Sequence, residues 1–233
     1  MNNDKNSIKN FLIKENKGAE LAGNSKTLIL LDATGSMASL LDTTKKTLVE
    51  MFDQIGEVLK EHAFGGNEFQ IKIGVYRNYN SSEDEIYQHS CWENTPHNLV
   101  SFLNNIVASG GFPGSDNLNE AVEIGLWQAN QEKDLSQVIL IGDAPANEKN
   151  KIEALKKMGH FTSSIYTQTL SYIEETQKLK SKCIPVHSFY VRILAKDNFE
   201  EIARETSGHC EELNINSPQG SEKLKYLINR TVA

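Results

Sequence analysis

The segment TLILLDATGSMASLL, from Thr27 to Leu41, runs from an apolar stretch into an aspartate that two hydroxyl side chains follow. The aspartate is Asp32, and Thr34 and Ser36 stand at alternate positions behind it. Removing an unpaired carboxylate from water costs several kcal/mol, so Asp32 requires a strong partner. A bound cation, a reacting phosphate or a hydrogen bond that caps the next helix would each meet that requirement.

A second apolar run, QVILIGD, also ends on an aspartate, Asp143. If both runs are parallel strands of one sheet, their carboxyl ends meet at the same edge, and the two carboxylates and two hydroxyls converge there. Gly35 lets the backbone turn tightly enough to direct the flanking hydroxyls to one point. Magnesium takes about six oxygen ligands and retains several waters, so these donors suit Mg²⁺ or Mn²⁺. The cysteines and histidines of the chain lack the spacing of a zinc site.

Patterns typical of strands and helices alternate along the chain. The segment after Met37 has apolar residues at helical spacing and predicts a long helix that covers a sheet. Further strands are predicted for EFQIKIGVYRNY, EIYQHSCW, QVILIGD, CIPVHSFYV and HCEELNI. Further helices are predicted for NTPHNLVSFLNNIVAS, which starts at Thr95 and Pro96 and stops at Gly110, and for DNLNEAVEIGLWQANQ, NFEEIARETSG and SEKLKYLINRTV.

This alternation predicts the α/β fold class. We expect a doubly wound, mainly parallel central sheet with helices on both faces and one antiparallel edge strand. In sheets of this kind, ligands bind beyond the carboxyl ends of the strands, where Asp32 and Asp143 are expected to lie.

The composition is that of an ordinary globular protein, with 39% hydrophobic and 24% charged residues. Residues 1–25 form a predicted polar arm that lacks the apolar stretch of a secretory signal, and residues 26–233 form one predicted domain. No run is long and apolar enough for a membrane helix. The 31 acidic and 24 basic residues give a net charge of -7, which disfavours nucleic acid as a partner. We therefore expect a cytoplasmic protein that binds neither nucleic acid nor membrane.

The DATGSM box resembles the von Willebrand factor A (vWA) domain family, whose metal-ion-dependent adhesion site (MIDAS) carries Asp-x-Ser/Thr-x-Ser after the first strand. The resemblance extends from about Lys26 to Ala233 and includes IGVYRNY, GGFPGSDN, VILIGDAP, VHSFYV and FEEIARETSG. The DATGSM and YRNY sequences are most similar to those of the intracellular branch that contains the α-kinase-associated members. The resemblance implies a vWA fold without catalytic activity.

The resemblance also implies the ligands of a metal site. Asp32, Thr34 and Ser36 would form its first loop, and Asp143 would be its later carboxylate. The usual threonine of the middle loop is missing from GGFPGSDN, so Ser115 or Asp116 would replace it. An acidic residue of a partner protein would complete the coordination of Mg²⁺ or Mn²⁺.

Three alternatives remain open from the sequence. Phosphatases of the haloacid dehalogenase type also place an aspartate after an apolar first strand, but they need a second acid two residues later, where this chain has Thr34. A scaffold with a vestigial metal site is the second alternative. The third is structural, because Thr34 or Ser36 could cap the helix that begins near Met37. Nucleotide binding is disfavoured, because the chain has no G-x-x-x-x-G-K-[ST] stretch.

Overall fold

A six-stranded sheet organises the chain. The computed structural model describes residues 25–38, 41–42, 45, 69–94, 96–111, 119–159, 166 and 168–213. The strands are β1 (Ser25–Asp32), β2 (Phe69–Tyr76), β3 (Tyr87–His89), β4 (Gln137–Gly142), β5 (Val186–Tyr190) and β6 (Cys210–Glu212). Their order is β3-β2-β1-β4-β5-β6, and every pair is parallel except β2 with β3, which is antiparallel. The predicted parallel sheet with one antiparallel edge strand is therefore confirmed.

Helices cover both faces of this sheet. Those that the structure delimits are α1 (Glu83–Ile86), α2 (Pro96–Asn105), α3 (Val122–Gln131), α4 (Lys149–Lys157), α5 (Tyr172–Ser181) and α6 (Lys196–Glu205). Successive residues of β1 point to opposite faces, so Ile29 and Leu31 pack in the core that includes Leu99 and Leu103 of α2. Leu28 and Leu30 pack in the core on the other face, whose helical residues come from α3, α5 and α6. The central strands are apolar on both faces because both faces are buried.

Two predicted helices are shorter than their sequence patterns. The first, α2, starts at Pro96 as predicted but ends at Asn105, because the following residues bond the first loop: Ser109 N–H donates to Ala33 O at 3.0 Å. The second, α3, starts at Val122 rather than near Asp116. Glu120 N–H donates instead to Pro145 O at 2.9 Å, which keeps this segment outside the helix.

Three helices, α1, α4 and α5, have no counterpart in the sequence predictions. The predicted strand EIYQHSCW is correspondingly shorter, because Glu85 and Ile86 belong to α1 and β3 begins at Tyr87. The start of α5 carries a local signal, because the hydroxyl of Ser171 accepts a hydrogen bond from Glu174 N–H at 3.4 Å. Ser-x-x-Glu before a helix is the pattern of a capping box, which could have revealed α5 from the sequence.

Several predictions fall on residues outside the described ranges. They include most of the long helix after Met37, the closing helix and the greater part of the arm, so the division into 1–25 and 26–233 stays a prediction. Within the described part of the chain, no helix combines the length and apolar character needed to cross a bilayer.

Candidate metal centre

Asp32 is the last residue of β1, and its carboxylate is fully buried. Its Oδ1 accepts two hydrogen bonds from Thr34, one from the backbone N–H and one from the hydroxyl, each at 2.8 Å. Its Oδ2 is buried and has no hydrogen-bond partner among the described residues. The carboxylate is therefore held firmly through Oδ1. Oδ2 makes no hydrogen bond of normal geometry among the described residues, although the backbone of Asp143 lies close enough to lower the pKa of Asp32 slightly.

The two predicted hydroxyls connect Asp32 to Asp143. Thr34 Oγ1 lies 3.1 Å from Ser36 Oγ, and Ser36 Oγ donates to Asp143 Oδ1 at 3.0 Å. Asp143 is almost completely buried, and its Oδ2 also lacks a hydrogen-bond partner among the described residues. The structure thus brings together four of the six residues predicted to bind metal.

A count of protons shows why a cation would stabilise this cluster. Each hydroxyl has one proton to donate, and when both aspartates are ionised these protons are used on Asp32 and Asp143. The contact between the hydroxyl oxygens of Thr34 and Ser36 then has no proton, and both oxygens direct lone pairs toward each other. A cation at this place would stabilise the two hydroxyl oxygens and the Oδ2 atoms of Asp32 and Asp143.

Gly142 allows the end of β4 to pack closely against Asp32 and Tyr76. β1 and β4 are neighbours in parallel register, with Leu31 paired to Ile141. A Cβ on Gly142 would lie 2.5 Å from Tyr76 Oη and 3.3 Å from Asp32 Cβ. Only glycine fits immediately before Asp143 without displacing these neighbours.

Burial and mutual repulsion make the cluster electrostatically strained. Desolvation, with the charge of Asp143 as the second cause, raises the pKa of Asp32 from 3.8 to about 7, although hydrogen bonds from Thr34 oppose the shift. A carboxylate that is this reluctant to ionise is stabilised in its charged form by a nearby cation.

Glu120 is a third acidic residue of the centre, and it is not among the residues predicted from the sequence. The residue is buried, and its backbone pairs with Ala146 just beyond Asp143. Desolvation and the charges of Asp32 and Asp143 raise its pKa from 4.5 to about 9. No sequence pattern marks Glu120, because its position depends on the bridge to Ala146. The one sequence feature that could have pointed to Glu120 is that it follows the glycine-rich loop GGFPGSDN.

The middle loop begins beside the first loop. Gly35 N–H donates to Gly110 O at 3.2 Å, and Gly110 has a positive φ of 80° that favours glycine. Ser115 and Asp116, the predicted ligands from this loop, lie outside the described residues. Their contribution stays a prediction.

Arg77, from the YRNY segment, connects three neighbouring elements of the fold. It is buried, and its guanidinium donates to Glu85 O at 2.5 Å, Gln88 Oε1 at 2.9 Å and Val107 O at 2.7 Å. The planar fork of arginine therefore ties α1, β3 and the segment after α2 together. We assign Arg77 a structural role behind the first loop.

The residues fit a hard, oxygen-binding cation. No group of three or more His, Cys, Asp or Glu side chains among the described residues is arranged to chelate a metal. Asp32 and Asp143 would hold a divalent ion together with hydroxyl oxygens and water. The helix-cap alternative fits Thr34 less well, because this residue precedes the short turn Gly35–Met37 without a capping hydrogen bond from its side chain.

The comparisons with known proteins agree with the fold. No family model matches the chain, and no curated protein matches it. Two solved structures of proximal thread matrix protein 1 from the mussel byssus are similar, with TM-scores of 0.59 and 0.58 and 13% identity. One of them has a zinc occupied MIDAS motif. Each match covers 90% of this chain but only 46% of the mussel protein, so the chain spans about half of its length. The fold is therefore vWA-like, as the DATGSM box implied.

Proposed function

We propose that this chain is a protein-binding module whose binding depends on Mg²⁺ or Mn²⁺ at the candidate metal centre. One observation carries the proposal. The oxygen atoms of Asp32, Thr34, Ser36 and Asp143 form a continuous chain of contacts, and when both aspartates are ionised this chain has fewer protons than contacts. The Oδ2 atoms of Asp32 and Asp143, which have no hydrogen bond within the described part of the chain, are the natural positions for additional coordination. The zinc in the similar mussel protein supports a divalent cation at this place in the fold.

The partner we propose is a protein that contributes one acidic side chain to the ion. Asp32, Thr34, Ser36 and Asp143 would hold the cation, with Ser115 or Asp116 as the proposed ligand from the middle loop. The cation would supply the positive charge that attracts a carboxylate to a protein whose net charge is -7. We further propose that the protein is cytoplasmic and binds neither nucleic acid nor membrane.

We also propose that the module has no catalytic activity. A phosphatase of the haloacid dehalogenase type would need an acid two residues after Asp32, and that position is Thr34. The proton of the Thr34 hydroxyl is already donated to Asp32 Oδ1 at 2.8 Å, and a hydroxyl is a poor group for proton transfer at neutral pH.

Calorimetric titration with Mg²⁺, Mn²⁺ and Zn²⁺ in separate experiments tests the metal site. We expect the wild type to bind Mg²⁺ and Mn²⁺ and Asp32→Asn to lose that binding. Asp84→Asn is the matched control, because Asp84 is exposed on α1 and the variant loses the same charge. Absence of heat and of any thermal shift with millimolar Mg²⁺ or Mn²⁺ would favour the scaffold with a vestigial site.

An activity assay separates the binding module from the phosphatase. Wild type and Asp32→Asn would be compared on an activated aryl phosphate in the presence of Mg²⁺. We expect equal background hydrolysis. Turnover by the wild type above the level of the variant would contradict the proposal and support Asp32 as a nucleophile.

A further inference from the structure

Arg192 extends from the solvent to the candidate metal centre. The chain continues beside β4 after β5 ends, because Val191 N–H donates to Gly142 O at 2.9 Å. This pairing places the next residue, Arg192, beside Asp143. Its Nε lies 3.3 Å from Asp143 Oδ2, and its guanidinium also contacts the backbone oxygen of Ser36 at 3.5 Å.

The contact between Arg192 and Asp143 is electrostatic and weakly held. The Asp143 side chain is 1% exposed, whereas that of Arg192 is 54% exposed. Among the described residues Asp143 Oδ2 accepts no hydrogen bond, so the guanidinium lies near this oxygen without a well-directed N–H. Ion pairs with one partner this exposed contribute only modestly to stability. Arg192 can therefore leave Asp143 at a modest cost, which a divalent ion at the same oxygen would offset.

The segment that carries Arg192 leaves room for such a movement. Arg192 precedes the short turn Ile193–Ala195, in which Ile193 is 75% and Leu194 45% exposed. Ala195 is buried and anchors the far end of the turn. The described residues thus leave the outer side of this turn uncovered, and the arginine side chain can turn toward solvent while the backbone stays in place.

We infer that Arg192 is an intrachain counter-cation that competes with the divalent metal ion for Asp143 Oδ2. This inference rests on the proposed function. The guanidinium partly neutralises Asp143 in the metal-free protein, and its positive charge opposes the entry of a second cation at the same oxygen. Metal binding displaces Arg192 toward solvent, so this residue lowers the affinity of the centre for the ion. It therefore raises the metal concentration at which the module can bind its partner protein.

Calorimetric titration of Mn²⁺ and Mg²⁺ into wild type, Arg192→Gln and Lys196→Gln tests the inference. Lys196 is the matched control, because its removal changes the net charge equally and its ion pair in the structure is with Glu200. We expect Arg192→Gln to bind the ions roughly two- to tenfold more tightly than wild type, and Lys196→Gln to stay within about twofold of it. Melting in EDTA supplies a second measurement, in which Arg192→Gln is expected to be less stable than Lys196→Gln because Asp143 loses its counter-charge.

The outcomes separate this inference from the proposed function. Equal or weaker affinity of Arg192→Gln, with clear binding by the wild type, overturns the competition and leaves the metal site intact. If neither the wild type nor Arg192→Gln binds either ion, both proposals fall. Binding by Arg192→Gln at concentrations where the wild type shows none would support the competition in its strongest form.

Discussion

Ser36 Oγ donates a hydrogen bond to Asp143 Oδ1 at 3.0 Å, although the two residues are 107 positions apart in the chain. This bond joins the loop after β1 to the loop after β4, and Thr34 extends the connection to Asp32. The parallel pairing of β1 with β4 brings both loops to the same edge of the sheet. The polar cluster thus follows from two separate apolar runs that each end on an aspartate.

Thr34→Val is expected to destabilise the metal-free protein by about 1–2 kcal/mol at pH 8.5, because it removes a hydrogen bond to a buried carboxylate. The loss should be smaller at pH 5.5, where Asp32 is mostly protonated. Urea unfolding in EDTA at the two pH values measures both effects. Thr169→Val is the control, because the hydroxyl of this residue contacts the side chain of Lys156 instead. Equal losses at both pH values would show that the Thr34 hydroxyl does not interact with an ionised Asp32.

The sequence was sufficient to predict the strands that carry the main site residues. Apolar runs before Asp32 and Asp143 mark buried parallel strands, and parallel strands place their carboxyl ends together. The start of α2 at Pro96 was also predictable, because proline is favoured in the first turn of a helix. These features depend on residue type and local spacing alone.

Other parts of the centre depend on contacts that local spacing does not encode. Glu120 is held at the site by a backbone bridge to Ala146, and this bridge also delays the start of α3. Arg192 approaches Asp143 because the backbone pairing of β4 and β5 continues through Val191. Neither interaction leaves a periodic pattern in the sequence.

The metal-free protein is expected to lose stability as the pH rises from about 5 to 9. The pKa of Asp32 in the folded protein, about 7, lies above its ordinary value of 3.8, so the native state retains a proton that the unfolded chain has released. This contribution is fully present below about pH 4 and is lost as the pH rises through 7. Glu120, with a pKa of about 9, extends the loss to higher pH.

Thermal melts in EDTA across this pH range measure the effect. Asp32→Asn should flatten the decline between pH 5 and 8 and should be more stable than wild type at pH 8, by roughly 2–6 °C in Tm. Asp84→Asn, which removes an exposed charge, should follow the wild-type curve. A wild-type Tm that rises steadily from pH 5 to 8 would contradict the raised pKa.

Magnesium is expected to stabilise the protein more at pH 8 than at pH 6. Protons and the metal ion compete for the same carboxylates, and a ligand that binds only the native state raises its stability by mass action. At each pH, Tm is measured without MgCl₂ and at MgCl₂ concentrations that increase in 10-fold steps, at constant ionic strength. The increase in Tm over the metal-free sample measures this competition. Asp32→Asn should show no metal-dependent shift at either pH. A larger shift at pH 6 would exclude Asp32 as the competing group.

Gly142→Ala is expected to destabilise the fold by about 1–3 kcal/mol, because overpacking a rigid core displaces its neighbours. The added methyl group would lie 2.5 Å from Tyr76 Oη, 3.2 Å from Phe199 Cζ and 3.3 Å from Asp32 Cβ. A double-mutant cycle with Tyr76→Phe isolates the first of these contacts, since that variant removes only the hydroxyl. Urea unfolding of the four proteins should show that Gly142→Ala destabilises the fold less when residue 76 is phenylalanine.

Metal titration of Gly142→Ala should show weaker Mg²⁺ binding, because displacement of the backbone at residue 142 separates Asp143 from Asp32. Additive stabilities together with unchanged metal affinity would mean that the close approach at Gly142 does not position the two carboxylates.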